Sequence, residues 1–314
     1  MTSRRGVGAP TPSEDFVTTP DGMCLFCQRL GHGPRTVLVP NGIDLLADFS
    51  PLAEGRMLVF YDLRYRGRSG EWGDQKAPAR GVHDDVDDLE RVRRHFGDQV
   101  DLIGHSYVGL MVMLYAAKYP SRVHRAVQIG ASPPDHRKKY PAHLTNADAT
   151  LRRVLSGLAA LQQERQAHDP VEFCRMTWSL LAPLFVVDPA DADKIRWGRC
   201  DHPNERRFMT YWTEILLPSI QALALQSQDL AAATAPVLTV HGRLDRSSPY
   251  GGGRDWARLL PNARLLTVAN AAHAPWVEAR DEVLGAIDVF LDGAWPPRAE
   301  RVENLELQRS DGRP

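Results

Sequence analysis

The stretch Leu102-Ile103-Gly104-His105-Ser106-Tyr107-Val108-Gly109-Leu110-Met111-Val112-Met113 decides the fold. Its left half ends an apolar run from Gln99 that suits a short buried strand. Its right half stays apolar to Tyr119 and stops at Pro120, as a buried helix does. Almost nothing separates the two, so the chain must turn sharply at Ser106. So tight a turn needs a small residue two places before the serine, and Gly104 supplies it. The turn would push the Ser106 hydroxyl clear of the sheet and aim the Tyr107 N–H at the same point.

Outward from this junction, strands alternate with helices. Upstream come the β-type runs FVTT, CLFCQRL and RTVLV, broken by Pro20-Asp21-Gly22 and Gly31-His32-Gly33, a pattern that fits a strand-turn-strand meander. MLVFYDLR is a further strand, leading into the loop RYRGRSG. Helical periodicity runs from about Val82 to Phe96, acidic early as the helix dipole favours. Downstream, RAVQIGA reads as another buried strand. Such alternation argues a mostly parallel sheet covered on both faces.

The rhythm breaks at about Pro133. From 133 to 232 the chain reads as helical, and βα alternation then resumes with PVLTVHG, WARLL, ARLLTVA and EVLGAIDVFLDG. The expected organisation is a core over 1–132, a helical insertion over 133–232, the rest of the core over 233–293, and a polar tail over 294–314. Residues 1–14 read as a loose leader to the first strand.

A serine hydroxyl is a weak nucleophile and needs a base that is itself oriented by a carboxylate. Asp245, in VLTVHGRLDRSSP, follows one strand; His273, in VANAAHAPWVE, follows the next. Their 28-residue separation is one strand-helix-strand unit, which brings both to the sheet edge that carries Ser106. His241, on the same loop as Asp245, reads as a brace for that loop. His83, His105, His124, His136 and His202 read as surface or core residues. A developing oxyanion needs two converging N–H donors. Tyr107 N–H is one. The other is expected in VPNGID, where Gly42 permits a tight turn and Ile43 presents the N–H.

The segments VLVPNG (37–42), VFYDLRYRGRSG (59–70), LIGHSYVG (102–109), VLTVHGRLDRSSP (237–249) and AAHAPWVE (271–278) together resemble the α/β-hydrolase superfamily. Within it the chain is similar to proline iminopeptidases and related capped serine esterases. The resemblance implies an α/β-hydrolase fold, a mostly parallel central sheet with helices on both faces and an inserted helical cap. It implies a Ser106, Asp245, His273 triad with Ile43 and Tyr107 as oxyanion donors, and neither cofactor nor metal. Two departures stand out. Asn41-Gly42 replaces the usual His-Gly, and Val108 stands where a glycine is common and would crowd the turn.

Serine at the turn points to acyl transfer on a small ester, lactone or amide. Aspartate would point instead to alkyl-ester chemistry. The insertion carries Trp178, Phe185, Trp197, Phe208, Tyr211 and Trp212, read either as packing between helices or as an aromatic wall for an apolar substrate. Trp178, Tyr211 and Trp212 are the candidate contacts. An aminopeptidase would need carboxylates there for the substrate ammonium; Glu172, Glu205 and Glu214 are available, with Glu214 in the apolar helix YWTEILL. Other readings are an aminopeptidase, a C–C bond hydrolase or perhydrolase using the same triad, and a non-catalytic ligand-binding protein.

The bulk composition excludes some classes. The 314 residues carry a formal net charge of -1 with no long run of one sign, so neither nucleic acid nor a charged membrane surface is an expected partner. No stretch approaches the roughly 18 apolar residues of a membrane span. MTSRRGVGAPTPSEDF lacks the apolar centre of a signal peptide, and the expected location is cytoplasmic. The four cysteines form no dense framework that calls for an oxidising compartment, and Cys24-x-x-Cys27 reads as part of an amphipathic strand.

Overall fold

The computed structural model describes residues 12–71, 79–164, 169–195, 200 and 205–303. Its strands are β1 (Ser13–Thr18), β2 (Met23–Leu30), β3 (Thr36–Pro40), β4 (Met57–Tyr61), β5 (Gly70–Glu71), β6 (Val100–His105), β7 (Val123–Ile129), β8 (Val237–Gly242) and β9 (Ala263–Val268). They form one sheet in the order β1-β2-β4-β3-β6-β7-β8-β9, with β5 on β2. Every pair from β4 through β9 along this order is parallel, whereas β1, β2 and β5 pair antiparallel.

Burial on both faces explains the apolar strand runs. Side chains alternate across a strand, so successive residues enter opposite layers. Leu38, Val59, Tyr61 and Leu102 join one core, against Val86 and Leu89 of α2 (Val82–Phe96) and Leu110 of α3 (Tyr107–Lys118). Val37, Leu58, Phe60 and Ile103 join the other, where Leu45 and Phe49 of α1 (Gly42–Phe49) also pack. The expected helix from Val82 to Phe96 is found with those ends.

Between β7 and β8, where the insertion was expected, the described residues form α4 (Ala149–Gln163), α5 (Pro170–Phe185), α6 (Glu205–Tyr211), α7 (Leu217–Gln221) and α8 (Ser227–Leu230), with a π-helical turn Trp212–Leu216 between α6 and α7. After β8 come α9 (Tyr250–Leu259), α10 (Pro275–Glu278) and α11 (Arg280–Leu291), which lays Val283, Ile287 and Phe290 on the second core. No helix among the described residues is long and apolar enough to cross a membrane.

Three expectations are corrected, and one cross-link is added to them. The first three strands are not a meander: β1 and β2 form a hairpin, but β4 lies between β2 and β3. The cause is α1, which crosses over and returns the chain parallel to β3. The N-terminal leader ends earlier than expected, since β1 begins at Ser13; residues 1–11 lie outside the described set. The C-terminal segment is not a simple tail. Leu265 and Glu300 exchange backbone hydrogen bonds at 2.8 and 3.0 Å, Trp295 packs on Phe290, and only 304–314 lie outside the described residues. Finally, Cys174 and Cys200 are joined by a disulfide that ties α5 to the segment before α6. Cys24 and Cys27 are buried, and on a strand a three-residue spacing sets them on opposite faces, unable to share a bond or a metal.

Candidate active site

Ser106 joins β6 to α3 with φ 59°, ψ −128°, a backbone that an L-residue rarely adopts. The turn closes because its N–H donates to Ile129 O (2.9 Å) while its carbonyl accepts from Gly109 N (3.0 Å) and Ser132 N (3.1 Å). Two glycines make room. A Cβ on Gly104 would lie 2.5 Å from Val108 O, and one on Gly109 would lie 2.9 Å from the Ala131 Cβ. Val108 therefore does not crowd the turn, as its sequence position suggested. Its side chain is buried in the core, and the close approaches fall on its neighbours.

Asp245 follows β8 and His273 follows β9, both with no solvent exposure. His273 Nδ1 stands 2.8 Å from Asp245 Oδ2. Asp245 Oδ1 accepts from the N–H of Ser247 (2.7 Å) and Ser248 (2.8 Å). Burial alone would raise the Asp245 pKa, but His273 and the hydrogen bonds outweigh it and hold the carboxyl well below the usual range. His273 Nε2 is buried without a hydrogen-bond partner among the described residues. Ser106 reaches this corner through β7. Its N–H bonds Ile129, and the next residue, Gly130 (φ 50°), would place a Cβ 3.0 Å from His273 Nδ1 and 3.3 Å from Asp245 Oδ2.

Several residues brace this corner, and of them only His241 was read as a brace from the sequence. His241 Nε2 lies 3.1 Å from Ser248 O and 3.3 Å from Asp245 Oδ2, so it braces the acid loop as expected. Asn146 Nδ2 donates to the carbonyls of Arg243 and Asp245. Glu278 accepts from Val187 N (2.6 Å) and Ala272 N (2.7 Å), joining the base loop to the segment just after α5. His105, read from the sequence as a surface or core residue, has its ring 4.6 Å from that of His273 and its Nε2 3.0 Å from His273 O. These partners meet only after folding, across 91 to 168 residues for Glu278–Val187 and His105–His273.

A cavity of about 610 Å³ opens at Ser106 and Tyr107. The core supplies its polar end, Asn41, Asp44, Arg66, His105 and Ser247. Its walls come mostly from the insertion, including Leu158, Trp178, Phe185, Phe208 and Trp212. Of the candidate contacts, Trp178 and Trp212 lie in this lining, and the Trp212 ring lies 5.2 Å from that of Tyr107. Tyr211 does not. It is buried against Tyr65 and its hydroxyl donates to Gly81 O (3.1 Å). Glu214 is exposed, outside the cavity lining, because the π-helical turn leaves it outward. Glu172 lies on a separate surface groove; Trp197 and the Glu205 side chain lie outside the described residues. Ile43 is the second residue of α1, directly after the Asn41 turn with φ 68°.

A doubly covered parallel sheet with a serine on a strained strand-to-helix turn, and an Asp–His pair beyond the next strands, defines a class. The family model described as alpha/beta hydrolase fold matches residues 44–279, and the chain belongs to that family. Among curated relatives, it is 26% identical over 254 residues to a proline iminopeptidase of Pestalotiopsis fici, covering 78% of this chain and 84% of that one. It is 27% identical over 279 residues to a pimeloyl-[acyl-carrier protein] methyl ester esterase of Chromobacterium violaceum, covering 86% and 99%. Among solved structures, a meta-cleavage product hydrolase of Pseudomonas fluorescens superposes with a TM-score of 0.68 at 17% identity, covering 88% of this chain and 97% of that one. At that identity the likeness is one of fold. The curated relatives are named as a peptidase and an esterase, and the protein is read as a hydrolase.

Proposed function

We propose that the protein is a serine hydrolase that cleaves a small ester with an apolar acyl or alcohol part through an acyl-enzyme on Ser106. The observation that carries this is the buried pair His273 Nδ1–Asp245 Oδ2 at 2.8 Å with Nε2 unpartnered among the described residues, abutting Gly130, whose neighbour Ile129 accepts from the N–H of a serine at φ 59°. Asp245 orients the imidazole, and Nε2 takes the hydroxyl proton as Ser106 Oγ attacks the carbonyl carbon. The oxyanion forms toward the N–H groups of Tyr107 and Ile43. Collapse breaks the bond to the leaving alcohol, which receives the proton from Nε2. A water then attacks the acyl group by the same route and restores Ser106.

The helical insertion acts as the cap that selects substrate. Its cavity surface is mostly aromatic and aliphatic, with Gln162, Thr177 and Thr213 as uncharged polar members, which favours an apolar group over a charged one. Among the described lining residues the one carboxylate is Asp44, which comes from the core and accepts from Asn41 Nδ2 (2.5 Å). An ester therefore fits better than a substrate with a free ammonium.

A fluorophosphonate probe with peptide mapping tests the nucleophile, and a panel of p-nitrophenyl esters, lactones and a prolyl naphthylamide tests the substrate class. The expected result is modification of Ser106, loss of turnover in Ser106→Ala with its melting temperature kept, and preference for apolar esters. Unmodified Ser106, or turnover retained in Ser106→Ala, sinks the reading. Faster cleavage of the prolyl amide keeps the triad and replaces the substrate.

A further inference from the structure

The loop after β4, Asp62 to Ser69, touches the turn expected to hold the oxyanion and the helical insertion at once. Arg66 is the residue that does both. It is 3% exposed. Its Nη1 donates to Asn41 Oδ1 (3.4 Å) and lies 3.9 Å from Asp44 Oδ2. Asn41 in turn donates from Nδ2 to Asp44 (2.5 Å), so the start of α1 is held from both sides of one amide. The guanidinium also lies over the Phe208 ring of α6, 3.6 Å from its centroid. The preceding residue grips the same helix. Tyr65, at φ 62°, sets its ring edge-on to Tyr211 at 5.0 Å, and Arg207 lies over the Tyr65 ring at 5.2 Å. A non-glycine residue held in that backbone region persists only where its surroundings fix it. Here α6 supplies the fixing contacts.

An arginine can do this where a lysine cannot. Its planar fork offers an edge to an amide oxygen while its face stacks on an aromatic ring. Any shift of α6 relative to the sheet therefore bears on Asn41, and through it on the N–H that follows Gly42. Resting on the Ser106 reading above, we propose that Arg66 is a positioning residue that couples the seating of the insertion to the geometry of the oxyanion turn. Phe208 and Asn41 are the two ends of that coupling. A substrate that seats α6 well through the apolar wall would in this way also set the donor that stabilises its own transition state.

The experiment is a double-mutant cycle on ester turnover and on the rate of Ser106 modification by a fluorophosphonate. Its corners are the wild type, Asn41→Gly, Phe208→Leu and the double variant, repeated with Arg66→Met. Glycine adopts the Asn41 backbone without strain, so only the side chain is lost. Each single variant should lower kcat about tenfold, less than outright removal of an oxyanion donor, with KM changed about threefold or less. The double variant should be little worse than either, and with Arg66→Met neither change should add further loss. Phe208→Tyr keeps the aromatic face under the Arg66 guanidinium and should lower kcat less than Phe208→Leu does; an equal loss overturns the coupling.

Multiplicative losses from Asn41→Gly and Phe208→Leu, with Ser106 still modified, overturn the coupling and leave the hydrolase reading intact. So does a Phe208→Leu effect confined to KM. Failure of the probe to modify wild-type Ser106 overturns both.

Discussion

Asp245→Asn changes one atom and leaves the shape of the site intact. Asp245 Oδ1 accepts two backbone N–H groups, from Ser247 at 2.7 Å and Ser248 at 2.8 Å, while Oδ2 faces His273 Nδ1 at 2.8 Å. An asparagine with its amide nitrogen toward the two backbone donors would leave both unsatisfied in a buried site, at about 1–3 kcal/mol each. Its oxygen must therefore stay there, and its NH2 must face His273. It then donates to Nδ1, which places the imidazole proton on Nε2. That tautomer cannot accept the Ser106 proton. The expected fall in kcat is about 10⁴-fold, the scale of a wrong-tautomer triad, or about 5 kcal/mol of transition-state stabilisation. Steady-state hydrolysis of p-nitrophenyl butyrate at pH 7 reads it, with a melting curve to show that the fold holds. A kcat within tenfold of wild type would refute the tautomer argument and remove Asp245 from its proposed role.

Three further expectations rest on other parts of the fold. Gly130→Ala forces a left-handed alanine, at about 1–2 kcal/mol, and drives its Cβ against His273 and Asp245; both melting temperature and kcat should fall, and an unchanged kcat would show that the pair tolerates displacement. Val108→Gly removes a side chain that is 1% exposed and places glycine in a helix, so it should lose about 2–4 kcal/mol by chemical denaturation; a neutral result would mean that the core closes over the gap. Glu90 is opposed by burial, yet hydrogen bonds from Arg93, Arg94 and Tyr115 hold its pKa down to about 2. Its folded pKa thus lies below the unfolded one, so its stabilisation is complete above about pH 4.5 and is lost as pH falls toward 2. Glu90→Gln should melt below wild type at pH 7 and the gap should narrow across that window; a constant gap would contradict the assignment.

The sequence carried the sheet and the three candidate catalytic positions because each depends on local chemistry. Gly104 before Ser106 reports a turn that excludes a Cβ, and apolar runs such as VLTV report a strand buried on both faces. Asp245 and His273 were legible because parallel strands deliver successive loops to one edge. Topology that depends on partner choice was not legible: nothing in TVLV says that β4, rather than β2, will be its neighbour. The same limit applies to Gly130, whose need for glycine arises from two side chains more than 100 residues away. Tyr211 and Glu214 read as site residues because the YWTEILL helix is apolar. A π-helical turn shifts the register there, turning Trp212 to the cavity and Glu214 to solvent.

Glu278 offers one oxygen to Val187 at the end of α5 and the other to Ala272 beside His273. A new specificity engineered by transplanting a foreign insertion would therefore inherit an anchoring obligation. The graft must present a backbone N–H at position 187, or one carboxylate oxygen is stranded at about 1–3 kcal/mol and the histidine loop loses its tether. The seam of the transplant, rather than the pocket it brings, would then govern whether the hybrid works.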